Sequence, residues 1–145
     1  MPAAKQITVR LPFLLPTRNE QDRMHFQEKK RLKDRIIAEF IAAGIRRGAA
    51  PMEFAEVTVW RNSARSPDYD GNVGSLKQLL DVIQPEGIMR FVNGQPKFPN
   101  PGGLGIILND NIEHVVVRAE WVKAKPSEQY TLVRIKALDG IPVAA

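Results

Sequence analysis

Asp68 and Asp70 alternate around Tyr69 in SPDYDGNVGSLKQLLDVI, the stretch from Ser66 to Ile83, and Lys77 follows within a helical pattern. In an extended segment residues i and i+2 point the same way, so both carboxylates can converge on one cation. Gly71 relieves crowding at the turn, and Asp70 or Asn72 can cap the helix that follows. A helix N-terminus favours the ionised carboxylate, which is the form a metal requires. A small set of hard oxygen ligands suits Mg2+, which keeps several waters and shares its shell with phosphate. Lys77 lies two turns after Asp70 and leans back over Gly74 and Ser75, where its ammonium would meet charge developing on a phosphate. Asp81, one turn further, is placed to orient Lys77 through an i,i+4 pair.

A third acid, Asp110 in ILNDNIEH, follows a short apolar run, as a ligand presented at a strand or loop end would. In this scheme Asp68, Asp70 and Asp110 hold one or two Mg2+, or Mn2+ in its place. The metal activates water against a phosphodiester and Lys77 assists at the phosphate. The same residues also admit a plainer reading, because Asp-X-Asp beside Gly and Asn is common turn and capping chemistry, and Asp110 sits between two asparagines. Other catalytic schemes lack their parts. There is no cysteine, no HExxH, no GxSxG and no Walker loop, and His25 and His114 read as structural. Gly102–Gly105 precedes an apolar run of strand type, so it reads as a flexible loop and not as a phosphate cradle.

The elements that must position these groups are legible as hydrophobic periodicity. Gln6 to Leu11 alternates as a half-buried strand. A helix is expected from about Asp22 to Arg47, with Leu32, Ile36, Ile37, Phe40, Ile41 and Ile45 as its apolar stripe and Gly48 past its end. Its early cations, Lys29, Lys30, Arg31, Lys33 and Arg35, suit a solvated face or a surface that tracks phosphates. Phe54 to Trp60 is a second strand, and the loop from Asn62 to Pro67 leads into the acids. Arg61 and Arg65 there are candidate phosphate contacts. A second helix spans about Asn72 to Ile83, with Leu76, Leu79, Leu80 and Ile83 on one side, and Pro85 ends it.

Asn93-Gly94 signals a type I′ hairpin between Arg90-Phe91-Val92 and Lys97-Phe98, which Pro96 confines to an edge. Arg90 and Lys97, with Phe91 and Phe98, suit either contact with DNA or cover for the sheet edge. Strands from His114 to Val122 and Gln129 to Ala137 close the chain, and residues 139–145 read as a loose tail. The fold expected is α/β in the mixed α+β sense: one domain over residues 1–145, ordered β-α-β-α-β-β, with two helices packed on a mixed sheet and a loop or hairpin insertion at 85–102.

Composition narrows the partners. The chain is 43% hydrophobic and 26% charged, with a formal net charge of +5. No apolar run approaches the roughly 20 residues that span a bilayer, and MPAAKQITVRLP reads as the start of a strand and not as a secretory leader. The absence of cysteine fits a reducing cytoplasm. A basic chain favours polyanions, since neutralising phosphates releases condensed counterions.

DYDGNVGSLKQLLDVI, followed by a glycine-containing loop and GLGIILNDNIEHVVVRAEWVKAKPSEQYTLVRI, resembles the RusA-like Holliday junction resolvases, widespread in phages and prophages. The resemblance covers nearly the whole chain in element order, and its specific motifs lie within residues 68–81 and 103–117. It implies that Asp68, Asp70 and Asp110 are metal-binding catalytic acids and that Lys77 is the catalytic lysine. It further implies a Mg2+-dependent homodimer acting on four-way DNA junctions in the cytoplasm of a bacterial host, with no membrane and no nucleotide cofactor. A C2 dimer suits that substrate, because two matched nicks need two equivalent sites. The chain departs from the family pattern in three places. Asn109 replaces the first acid of an Asp-Asp pair, GNVGS lengthens the step to Lys77, and residues 85–102 are extended. A non-catalytic branched-DNA-binding protein on the same fold is the alternative, and a basic interaction domain without DNA is a third reading.

Overall fold

Alternation in the first strand persists in three dimensions: β1 (Gln6–Leu11) buries Val9 and Leu11 and exposes Thr8 and Arg10. The computed structural model describes residues 5–46, 50–111 and 113–140. After β1 come α1 (Arg18–Asp22), α2 (Phe26–Ala42), β2 (Ala55–Ser63), α3 (Tyr69–Gly74) and α4 (Lys77–Ile83). Then follow β3 (Arg90–Val92), β4 (Gln95–Lys97), β5 (Val115–Lys123) and β6 (Tyr130–Ala137). The fold is mixed α+β. Its main sheet has the order β1-β6-β2-β5, with β2 parallel to β5 and antiparallel to β6, while β3 and β4 form a separate ribbon.

Both expected helices are broken in two. The first starts early, because Thr17 and Glu20 form a capping box that nucleates α1. The chain then turns through Arg23 and Met24, and His25 restarts it in extended geometry as the N-cap of α2. The turn leaves buried Gln21 free to donate to the carbonyls of Pro16 and Ser75, across to α3. At its far end α2 stops at Gly44, which has φ of +91°. Ile45 N–H donates to Phe40 O and Gly44 N–H to Ile41 O, which completes a Schellman motif. The helix therefore ends at Ala42, five residues before the expected end at Arg47, and Arg47 and Gly48 lie outside the described residues.

The second helix is interrupted at Ser75 and Leu76. Ser75 Oγ donates to the carbonyl of Asn72 at 2.6 Å, the local back-bond by which serine bends a helix. The ladder resumes when Leu80 N–H donates to Leu76 O. This pair of helices runs back across the sheet from one end to the other. Asn72 Nδ2 donates to Glu120 O late in β5, whereas the N–H groups of Ile106 and Ile107 meet Ile83 O beside the start of β2. Ile107 in turn bridges to Met52.

The core lies between helices and sheet. Leu32, Ile36 and Phe40 of α2 pack with Leu79, Val82 and Ile83 of α4 over Val57, Val133 and Ile135. Ile41, placed in the apolar stripe by periodicity, is instead 55% exposed. Along β5 burial fades from Val115 to Trp121, whose indole donates to Ser63. No helix among the described residues is long and apolar enough to cross a membrane.

Candidate functional site at the start of α3 and α4

Asp68 is the N-cap of α3: its Oδ1 accepts from Gly71 N–H at 2.8 Å, a role the sequence allotted to Asp70 or Asn72. Asn72 is buried instead, where its side chain holds β5. Asp70 lies in the first turn of α3 and Lys77 opens α4, and both side chains are exposed. The bend at Ser75 does not part them. Both line a cleft of about 380 Å³, together with Arg18, Asp22 and Tyr69. Gly74 allows that assembly, since a Cβ built there would stand 2.5 Å from Cβ of Arg18. Neither Arg18 nor Asp22 stood out in the sequence as a site residue, although Thr17-X-X-Glu20, which contains Arg18 and lies just before Asp22, was a readable helix start.

Lys77 also borders a second cleft of about 490 Å³ between α2 and α4, lined by Lys29, Lys30, Lys33 and Asp81 among others. Asp81 does not act as an orienting partner for Lys77; it pairs with Lys33 across the helices at 3.4 Å. Among the described residues no ion pair engages Lys77. The five early cations of α2 divide. Lys29, Lys30 and Lys33 face this cleft, whereas Arg31 and Arg35 border a different hollow, with Arg35 stacked 3.9 Å from the centre of the Phe13 ring.

The remaining candidate cations part company too. Arg61 is drawn inward, donating from its guanidinium to the carbonyl of Leu15, so it is a structural residue and not an outward phosphate contact. Burial lowers its pKa from the ordinary value, partly offset by the charge of Glu20. Arg65 is exposed. Arg90 and Lys97 stand opposite each other in the β3–β4 ribbon, which pairs with itself and not with a strand of the main sheet. His25 caps α2 by its backbone, and His114 stacks on Phe54 with Nδ1 2.9 Å from Glu53 O, both structural placements.

Asp110 lies elsewhere. Leu108 N–H donates to Met52 O, and Asn111 O accepts from the N–H groups of His114 and Val115, so Asp110 sits just before β5 begins. The register pairs Ala55 with Val115 and Ser63 with Lys123, so β2 and β5 start together at that end. Asn72 docks at Glu120, and the rise from Val115 to Glu120 is about 17 Å. Asp110 and the pair Asp68 and Asp70 therefore occupy opposite ends of β5. The expected gathering of all three around one ion does not occur within a single chain, because α3 and α4 traverse the sheet before the chain reaches Asp110. Among the described residues no group of three or more His, Cys, Asp or Glu side chains is arranged to hold a metal ion.

What the cleft does offer is a partial oxygen set of two carboxylates, Asp70 and Asp22. Such a set suits a hard cation that completes its shell with water and phosphate, and not one needing a full protein cage. In comparison with known proteins, the chain matches no family model, no curated protein and no solved structure.

Proposed function

We propose that the chain is a Mg2+-dependent endonuclease of branched DNA, acting as a C2 pair in the cytoplasm of a bacterial host. The observation that carries this reading is that Lys77 borders both clefts, one holding Asp70 and Asp22 and the other Lys29, Lys30 and Lys33. A phosphate backbone laid along the lysines would bring a phosphodiester to the acids with Lys77 beside it. The resemblance of residues 68–81 and 103–117 to junction resolvases supports the same chemistry. Bound Mg2+ supplies Lewis acidity and an activated water. Asp70 and Asp22 would hold the ion, with water and phosphate completing its shell, and Lys77 would neutralise charge gathering on the phosphate.

The test uses a synthetic four-way junction, bound first in EDTA or Ca2+ and then exposed to Mg2+. Salt-sensitive binding followed by paired nicks on Mg2+ addition supports the reading. An Asp70→Asn variant that still cuts at near wild-type rate overturns it.

The placement of Asp110 and the asparagine at 109 favour a second reading, a branched-DNA-binding protein without catalysis. It predicts the same binding with no nicks on Mg2+ addition.

A further inference from the structure

The extended segment after Pro85 forms a two-faced arm. Asn93 and Gly94 have φ of 52° and 78°, the left-handed pair that a type I′ turn demands, and the register sets Arg90 opposite Lys97 and Phe91 opposite Pro96. Side chains alternate along a strand, so Phe91 and Pro96 share one face while Arg90 and Lys97 share the other. Phe91 is 71% exposed, and Ile88 at the foot of the arm is 83% exposed. An isolated two-stranded ribbon is marginal by itself, and like charges directly opposite weaken it further.

The root of the arm is firmly tied. Asn100 Nδ2 donates to Asp81 O at 2.6 Å, and Asn100 N–H to Glu86 O at 3.0 Å. Gly87, with φ of +82°, lies against the Pro99 ring, where a Cβ would come within 3.1 Å. Asp81 belongs to the helix that carries Lys77, and Pro101 and Gly102 line the lysine cleft. The arm therefore rises from the rim of that cleft.

We infer that the β3–β4 hairpin reads the branch point: Phe91 stacks on nucleotides left unpaired beside a phosphate backbone held in the lysine cleft, and Arg90 and Lys97 bind the flanking phosphates. This rests on the DNA-binding reading of the cleft. An aromatic face backed by cations is the chemistry that binds unstacked nucleotides, because every base offers a π-face and every linkage a charge. Charge selects this occupant over a second copy of the chain. Another copy would bring the same two cations on a chain of net charge +5, whereas a nucleic acid strand supplies anions for both.

The experiment uses the full chain with a four-way junction carrying 2-aminopurine next to the branch, and a linear duplex with the same label. Phe91→Ala and the double variant Arg90→Gln/Lys97→Gln alter exposed side chains, and their melting temperatures verify folding. Wild type should raise junction fluorescence in EDTA. Phe91→Ala should abolish that rise and weaken junction binding about tenfold, with duplex binding within twofold of wild type. The double variant should lower the salt slope of junction binding by up to about 2. Unchanged fluorescence and affinity in Phe91→Ala overturn the inference, as does loss of self-association by that variant in sedimentation without loss of DNA affinity. A wild-type protein that unstacks the branch but never cuts in Mg2+ leaves the inference standing and removes the nuclease reading. One that cuts while Phe91→Ala matches it does the reverse. Failure of wild type to bind any DNA overturns both.

Discussion

Lys33 Nζ lies 3.4 Å from the Asp81 carboxylate, with side chains 30% and 31% exposed, and so ties α2 to α4 at the wall of the lysine cleft. The pair sets a local balance: one carboxylate restrains one of the cations that would otherwise face a ligand. Its contribution to stability is small, because a partly exposed pair is screened by water and salt.

Asp81→Asn is accordingly expected to shift stability by less than about 1 kcal/mol. It should tighten binding of DNA severalfold at low salt, because the cleft loses a negative charge and Lys33 is released. Lys33→Met should do the opposite and reduce the slope of log K against log salt by about 1. Binding isotherms at four salt concentrations, with melting curves of each variant, read both effects.

The two arginines ahead of the acids should separate stability from binding. Arg61 donates to the carbonyl of Leu15 from a half-buried position, so Arg61→Met should cost about 2 kcal/mol in urea unfolding and leave DNA affinity within twofold. Arg65 is exposed, and Arg65→Ala should leave unfolding unchanged. A weaker junction complex for Arg61→Met at equal folded fraction would contradict this division.

Much of the sheet was legible because alternation reports burial directly: Ala55, Val57 and Val59 alternate within the strand expected from Phe54 to Trp60 and are buried together. The hairpin was legible because Asn93-Gly94 meets a demand for two positive φ values. Helix ends were less so. Gly44 and Gly48 both follow α2, and only the bonds from Ile45 and Gly44 back to Phe40 and Ile41 decide between them. Ser75 also suits a continuous helix in sequence; its back-bond to Asn72 is one rotamer choice among several, and the grip of Gln21 on its carbonyl is a tertiary fact. The position of Asp110 was hidden for the same reason. A motif gives its neighbours along the chain, and the direction in which α3 and α4 cross the sheet decides which end it reaches.

Gly74 of α3 lies directly against Arg18 of α1. Alanine there improves helix propensity by about 1 kcal/mol, but its methyl would stand 2.5 Å from Cβ of Arg18, an atom fixed to the α1 backbone. Overpacking of this kind costs about 1–3 kcal/mol, so Gly74→Ala should lose stability on balance. It should also displace Arg18 and Asp22 from the cleft, lowering cleavage beyond the loss of folded protein. Melting curves alongside initial rates at a temperature where all molecules are folded separate the two effects.

The acids themselves can be sorted by carboxamide substitution. Asparagine caps a helix as well as aspartate does, so Asp68→Asn should keep stability while Asp68→Ala loses about 1 kcal/mol with the bond to Gly71. Mn2+ titration followed by water proton relaxation then reports metal binding without reference to turnover. Asp70→Asn should weaken it at least tenfold, because an oxygen ligand has lost its charge. Asp110→Asn should leave it within twofold, since Asp110 stands at the other end of β5 from Asn72 and the α3 N-terminus. If Asp110→Asn nevertheless stops cleavage, that carboxylate acts at a site other than its own chain's Asp70 cleft. Mixed chains carrying Asp70→Asn and Asp110→Asn should then recover part of the activity. Loss of Mn2+ binding in Asp110→Asn as complete as in Asp70→Asn would mean that the two acids share an ion within one chain, against the register of β2 and β5.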